Sequence, residues 1–133
     1  MIEKDKILSV IRSVYGICTS PKKEAQFVDD VFDSVTNSGD ITDLFPVLEQ
    51  YEEEKDFYEN SEYFIHELLW ELNDGEETAE YLYKSVFNWD NYDIFEKLWV
   101  YNREWLSKEQ QSLLFKHAES IYDKELLSCM IDT

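Results

Sequence analysis

Glycine and proline are nearly missing from this 133-residue chain, which has three of the one and two of the other. So few turn-formers exclude a collagen-like or linker sequence and count against a sandwich of many short strands. Cysteine is as scarce: Cys18 and Cys129 lie far apart, and neither has a second cysteine at metal-ligand spacing. In a chain long enough to build its own core, two such thiols are expected to be reduced and buried, which implies a reducing, cytoplasmic location. No stretch approaches the roughly 20 apolar residues that span a bilayer. The opening Met1-Ile-Glu-Lys-Asp-Lys-Ile-Leu8 mixes charges where a secretory leader would be apolar. Cations are the last shortage: 12 Lys and Arg against 30 Asp and Glu give a net charge of −18. Direct binding to nucleic acid needs cations to displace phosphate counterions, so it is not expected. Anionic membrane surfaces are repelled by the same field. The expected partner is a basic protein.

Core material is plentiful. Hydrophobic residues make up 44% and aromatics 16%, too much for a disordered chain despite its charge. The length suits one domain spanning residues 1–133, with a core that needs no staple. Apolar residues recur at helical spacing almost throughout. Ile7, Leu8, Ile11, Val14 and Tyr15 form one face of a first helix that closes near Gly16. Pro21 opens a second, with Ala25, Val28, Val31, Phe32 and Val35 inward and Gly39 after its end. Thr42 or Asp43 can cap a third, Leu44 to Glu54, because Pro46 is tolerated in the first turn. A fourth starts at Asn60 or Ser61 and reaches Asn73; a fifth covers Glu76 to Phe87, with Tyr83 among its inward residues. Asp90 can cap a sixth, with Ile94, Phe95, Leu98 and Trp99 toward the core. Ser107 and Gln110 have capping-box spacing for a seventh, and a short eighth runs from Lys124 to Ile131. No segment alternates at period two. The predicted class is all-α, about eight short helices.

Asp43-Leu-Phe-Pro-Val-Leu-Glu-Gln-Tyr51 and Asp93-Ile-Phe-Glu-Lys-Leu-Trp-Val-Tyr101 share Asp, an aliphatic, Phe, Leu and Tyr at matching places. Such self-similarity fits stacked helical hairpins, as in a short HEAT-like solenoid. Its register is not constant, so it is no strict repeat, and an irregular bundle that reuses Leu, Phe and Trp in its core is the alternative.

Charge is distributed unevenly. Residues 1–39, 40–83 and 84–133 carry net charges of −1, −14 and −3, and Lys55 is the single base of the middle third. The run Glu49, Glu52, Glu53, Glu54, Asp56, Glu59 and Glu62 precedes the fourth helix, and Asp74, Glu76, Glu77 and Glu80 follow it. Acidic runs serve solubility in most proteins, but one lysine among fifteen acids points to a partner-binding face. At about 100° per residue, Phe64, Ile65, Leu68, Leu69 and Leu72 take one side of the fourth helix. Tyr63, Glu67, Trp70, Glu71 and Asp74 then lie away from that side, as packing for a neighbouring hairpin or as aromatic anchors among carboxylates.

Catalytic patterns are poor. His66-Glu67 begins like a zinc-protease helix, but Trp70 stands where the second histidine belongs. The only other histidine is His117. The glycines are isolated helix stops, so no loop cradles phosphate. No Gly-x-Ser-x-Gly occurs, and no cysteine has an activating base beside it in sequence. No catalytic residue, cofactor or metal is expected, and the chain does not read as an enzyme.

Asp43–Tyr51 followed by Tyr63-Phe-Ile-His-Glu-Leu-Leu-Trp-Glu-Leu72, in a short, acidic, aromatic-rich helical chain, resembles the HEAT-like immunity proteins of bacterial contact-dependent growth inhibition and other polymorphic toxin systems. That resemblance implies a cytoplasmic protein, monomeric when free, that neutralises a cognate toxin domain such as a nuclease by covering its basic cleft. The alternative is a phage- or plasmid-encoded nucleic-acid mimic that inhibits a restriction or CRISPR nuclease. A mimic would spread its carboxylates along the chain, whereas here the first third is near neutral.

Overall fold

A computed structural model describes all residues except 17, 19, 38, 56–60 and 132–133, and only the backbone of 53–55 and 129–131. Among the described residues it is all-α, with eight helices and no strand. The chain divides into two compact units, Met1–Asn73 and Asp74–Thr133.

The first unit holds α1 (Lys4–Tyr15), α2 (Pro21–Asn37), α3 (Leu44–Lys55) and α4 (Ser61–Glu71). Gly16 ends α1 at φ 83°, where a side chain would be strained, and its N–H returns to Arg12 O at 3.0 Å. The third helix starts differently from expectation. Asp40, not Thr42 or Asp43, is the cap: its carboxylate accepts from Thr42 N, while the Asp43 carboxylate accepts from Asp40 N. This box opens a 3₁₀ turn, Ile41–Asp43, that leads into α3 and leaves Pro46 in the first α-helical turn. Helix α1 packs against α2 and α4, α2 against α3, and α3 against α4, so the contacts run in a ring. In a solenoid the last helix would not return to the first; within this unit the arrangement is a bundle. Stacked rings fill its centre. Phe27 and Tyr51 lie nearly parallel at 4.2 Å, and Tyr15 sits 5.8 Å from Phe27 and 5.6 Å from Phe64. Around them Ile7, Val31, Ile41, Leu44, Leu48 and Leu68 are fully buried. Ala25, expected inward, is exposed.

The second unit holds α5 (Glu76–Asn88), α6 (Tyr92–Glu96), α7 (Lys108–Ile121) and α8 (Lys124–Ile131). The cap of α6 is Asn91 rather than Asp90, its side chain accepting from Asp93 N (2.9 Å) and Ile94 N (3.4 Å). This helix is short because the chain widens at once into a π-helical turn, Lys97–Tyr101, and then a 3₁₀ turn, Arg103–Trp105. The box opening α7 is the expected one: Gln110 N donates to Ser107 Oγ (3.0 Å) and Ser107 N to Gln110 Oε1 (2.9 Å). Leu82, Ile94, Phe95, Leu98, Leu114 and Ala118 form the core. Tyr83 is only half-buried, edge-on to Phe87 at 5.0 Å. Trp99 rests on Phe95 and Phe115.

Candidate functional site

Helix α4 turns Phe64, Ile65, Leu68 and Leu69 into the bundle, as its apolar spacing requires. Its other side carries Tyr63, 53% exposed, with Glu62 and Glu71 exposed and His66, Glu67 and Trp70 half-buried. Glu49 is exposed on α3, the helix that packs beside α4. Glu71 stands 3.9 Å from Lys6 Nζ, with both side chains about half in water, a pair that adds little stability. Glu49, Glu62 and Glu67 have no ion-pair partner among the described residues. Glu62 and Glu67 share α4 with Tyr63, and Glu49 is a separate exposed carboxylate on α3.

Glu52 does not belong to that face. It is buried, and its Oε1 accepts hydrogen bonds from the Tyr15 and Ser61 hydroxyls, each at 2.9 Å. Three helices, α1, α3 and α4, meet on this one carboxylate. Burial first, and then the carboxylate facing it, push the Tyr15 hydroxyl well above the usual phenol range. Two donors on one oxygen fix a geometry; they do not prepare a nucleophile. Of the other expected site residues, Glu53 and Glu54 lie on α3 with side chains outside the described set, and Asp56 and Glu59 fall wholly outside it. Asp74 begins the second unit and is engaged there: its Oδ1 lies 3.5 Å from Lys97 Nζ and accepts from Asn102 Nδ2 at 3.1 Å.

Several ionic and polar groups escaped the composition-based reading. Glu24 is buried and takes both Arg12 Nε (3.2 Å) and Nη2 (2.7 Å); this bidentate bond, and then the carboxylate charge, raise the guanidinium pKa further. Lys97 and Asn102 are buried in the second unit. Helical phase was the available signal, since Glu24 precedes Phe27 and Val28, Glu52 follows Leu48 and Lys97 follows Ile94 by three or four residues. Each charge lies on an apolar stripe. A further acidic feature is an open groove of about 510 Å³ lined by Asp30, Asp33, Ser34, Asn37, Val47 and Gln50, where Asp30 accepts the Tyr51 hydroxyl.

His117 Nε2 lies 3.5 Å from Asp90, its ring 4.8 Å from that of Phe87, in an aromatic setting rather than a cluster of ligands. Among the described residues no three His, Cys, Asp or Glu side chains come together as metal ligands would, and no helix is long and apolar enough to cross a membrane. What the outward face of α4 offers chemically is attraction for cations, with an aromatic surface to stack on. Comparison of the chain with protein-family models, with curated proteins and with solved structures finds no match to any of them.

Proposed function

We propose that the protein is a cytoplasmic immunity factor that binds a basic toxin domain, a nuclease, and neutralises it by occupying its cationic cleft. It acts as a monomer and by contact, without catalysis. The observation that carries this reading is the surplus of exposed carboxylates on α3 and α4 of the first unit, where the cations of α1 are already engaged: Lys4 with Asp29 (3.0 Å), Lys6 with Glu71 and Arg12 with Glu24. Carboxylates of this kind can take the phosphate positions that a nuclease surrounds with arginine and lysine.

The test uses the toxin domain encoded by the adjacent gene. The full chain should bind it and abolish its nuclease activity. Glu49→Gln, Glu62→Gln and Glu67→Gln together should slow association and flatten its salt dependence. Tyr63→Ala should cost about 2 kcal/mol or more in binding, as a hot spot does. Three matching changes in the second unit, Glu109→Gln, Glu119→Gln and Glu125→Gln, should cost far less. Equal losses from the two sets would overturn the localised face, and retained nuclease activity would overturn the function.

A further inference from the structure

Asp74-Gly75 is the only place in the sequence where an aspartate or asparagine precedes glycine. Such a pair carries its own chemistry. The Gly75 nitrogen can attack Asp74 Cγ, the N–H proton and a carboxyl hydroxyl leaving as water, and close a succinimide ring. Water then opens the ring at either carbonyl. Breaking the bond from the nitrogen to Cγ restores aspartate. Breaking its bond to the main-chain carbonyl carbon instead routes the chain through Cγ, as isoaspartate. Glycine favours the attack because it has no side chain to crowd the nitrogen. Nothing else crowds the site: Asp74 is exposed, Gly75 is half-buried, and a methyl group on Gly75 would meet no atom within 4 Å.

What restrains the pair is one side chain. Asn102 is fully buried, and its amide holds both reacting groups. Its Oδ1 accepts from Gly75 N (3.0 Å), and its Nδ2 donates to Asp74 Oδ1 (3.1 Å). The same Nδ2 donates to Lys97 O at 3.0 Å, which fixes the amide in place. The buried Lys97 ammonium lies 3.5 Å from that Asp74 oxygen, and an ion-paired carboxylate is a poor target for an amide nitrogen. Beyond the glycine, Ala79 N donates to Gly75 O at 2.9 Å, so the first turn of α5 holds it too.

We propose that Asp74-Gly75 is a self-modification site latched by Asn102: it stays aspartate while the latch is closed and turns to isoaspartate when this corner opens. Ring closure takes the Gly75 N–H from Asn102 Oδ1 and the Asp74 carboxyl from Asn102 Nδ2, so both hydrogen bonds break first. Local opening, not unfolding of the whole chain, is enough. Refolding does not reverse the change, because it lies in the covalent backbone. Isoaspartate adds one carbon to the main chain just before α5 and moves the carboxylate that Lys97 pairs with. The site involves no partner, so it stands or falls separately from the toxin reading.

The experiment incubates the full chain at neutral pH for weeks beside a synthetic peptide spanning residues 70–80. Isoaspartate at position 74 is located by electron-transfer fragmentation of the digested chain. The peptide should accumulate it at least about tenfold faster than the folded chain. Asn102→Ala should raise the rate in the chain by at least about fivefold. Leu114→Ala removes a buried side chain elsewhere in the unit and controls for destabilisation alone. Compared equally far below its melting temperature, it should raise the rate far less. Hydrogen exchange of the unaltered chain gives a reading that needs no variant. The Gly75 N–H should exchange at least about tenfold more slowly than in the peptide. A folded chain that isomerises as fast as the peptide, or a Gly75 N–H that exchanges as freely, would overturn the proposal. So would an unchanged rate in Asn102→Ala, or Leu114→Ala matching it, since protection would then belong to the unit's stability and not to the latch.

Discussion

At the scale of single residues, the acidic run before α4 contains two kinds of carboxylate that composition cannot separate. Glu49 is exposed and Glu52 is buried, three positions apart on one helix. Their difference is helical phase: Leu44, Leu48 and Glu52 repeat every four residues on the buried side of α3. Glu52→Ala should therefore destabilise the chain by about 2–4 kcal/mol, because the Tyr15 and Ser61 hydroxyls both lose their acceptor. Glu49→Ala should stay within about 0.5 kcal/mol. Urea unfolding of both variants checks this, and similar small losses would mean that water replaces the Glu52 carboxylate without cost. The same residue shows what the sequence made legible at the site. The outward position of Tyr63 follows from the spacing of Phe64, Leu68 and Leu72, but the charges that the core absorbs were hidden by counting acids without their phase.

At the scale of elements, the start of a helix was readable where its cap stood directly before a regular α-helical turn. Ser107 and Gln110 form the expected box. Asp40 and Asn91 were missed because an intervening 3₁₀ turn moves one cap outward, and because Asp90 and Asn91 are adjacent and equally able to cap. Nor does any simple period announce the π-helical turn after α6, where Lys97 is buried with its ammonium 3.5 Å from Asp74. Tyr122, just after α7, ties that helix to α6 through Tyr92 and Phe95, with ring centroids at 5.5 and 5.7 Å. Burial, then the charge of Asp90, with Tyr92 and Asp93 behind it, push its hydroxyl up to about 12. An unfolded tyrosine ionises near pH 10, so above that pH the unfolded chain releases a proton that the folded chain keeps. The stability from Tyr122 is complete below about pH 10 and falls as pH rises toward 12. Thermal melts across that range should show Tyr122→Phe losing less stability than the parent. Equal losses would assign the alkaline transition to other groups, Tyr15 among them.

At the scale of the whole molecule, charge is the dominant property. The first unit carries seventeen acids and six bases, the second thirteen and six, so both repel themselves. Such self-repulsion opposes the compact state and is screened by salt. Melting temperature should accordingly rise between about 10 mM and about 150 mM sodium chloride, as the Debye length shortens from roughly 30 to 8 Å. A flat or falling response would show that internal pairs such as Arg12–Glu24 outweigh the surplus. The ring of α1 to α4 has a different consequence, one for how the unit can be enlarged. An open stack of hairpins can be lengthened by duplicating a hairpin, because its last member offers the next one a face to cover. Here α4 already lies against α1, so an added hairpin would find no uncovered end. Elaboration of this unit is therefore confined to outward side chains, such as those at positions 49, 62, 63 and 67, because a fifth helix would have to displace one of the four.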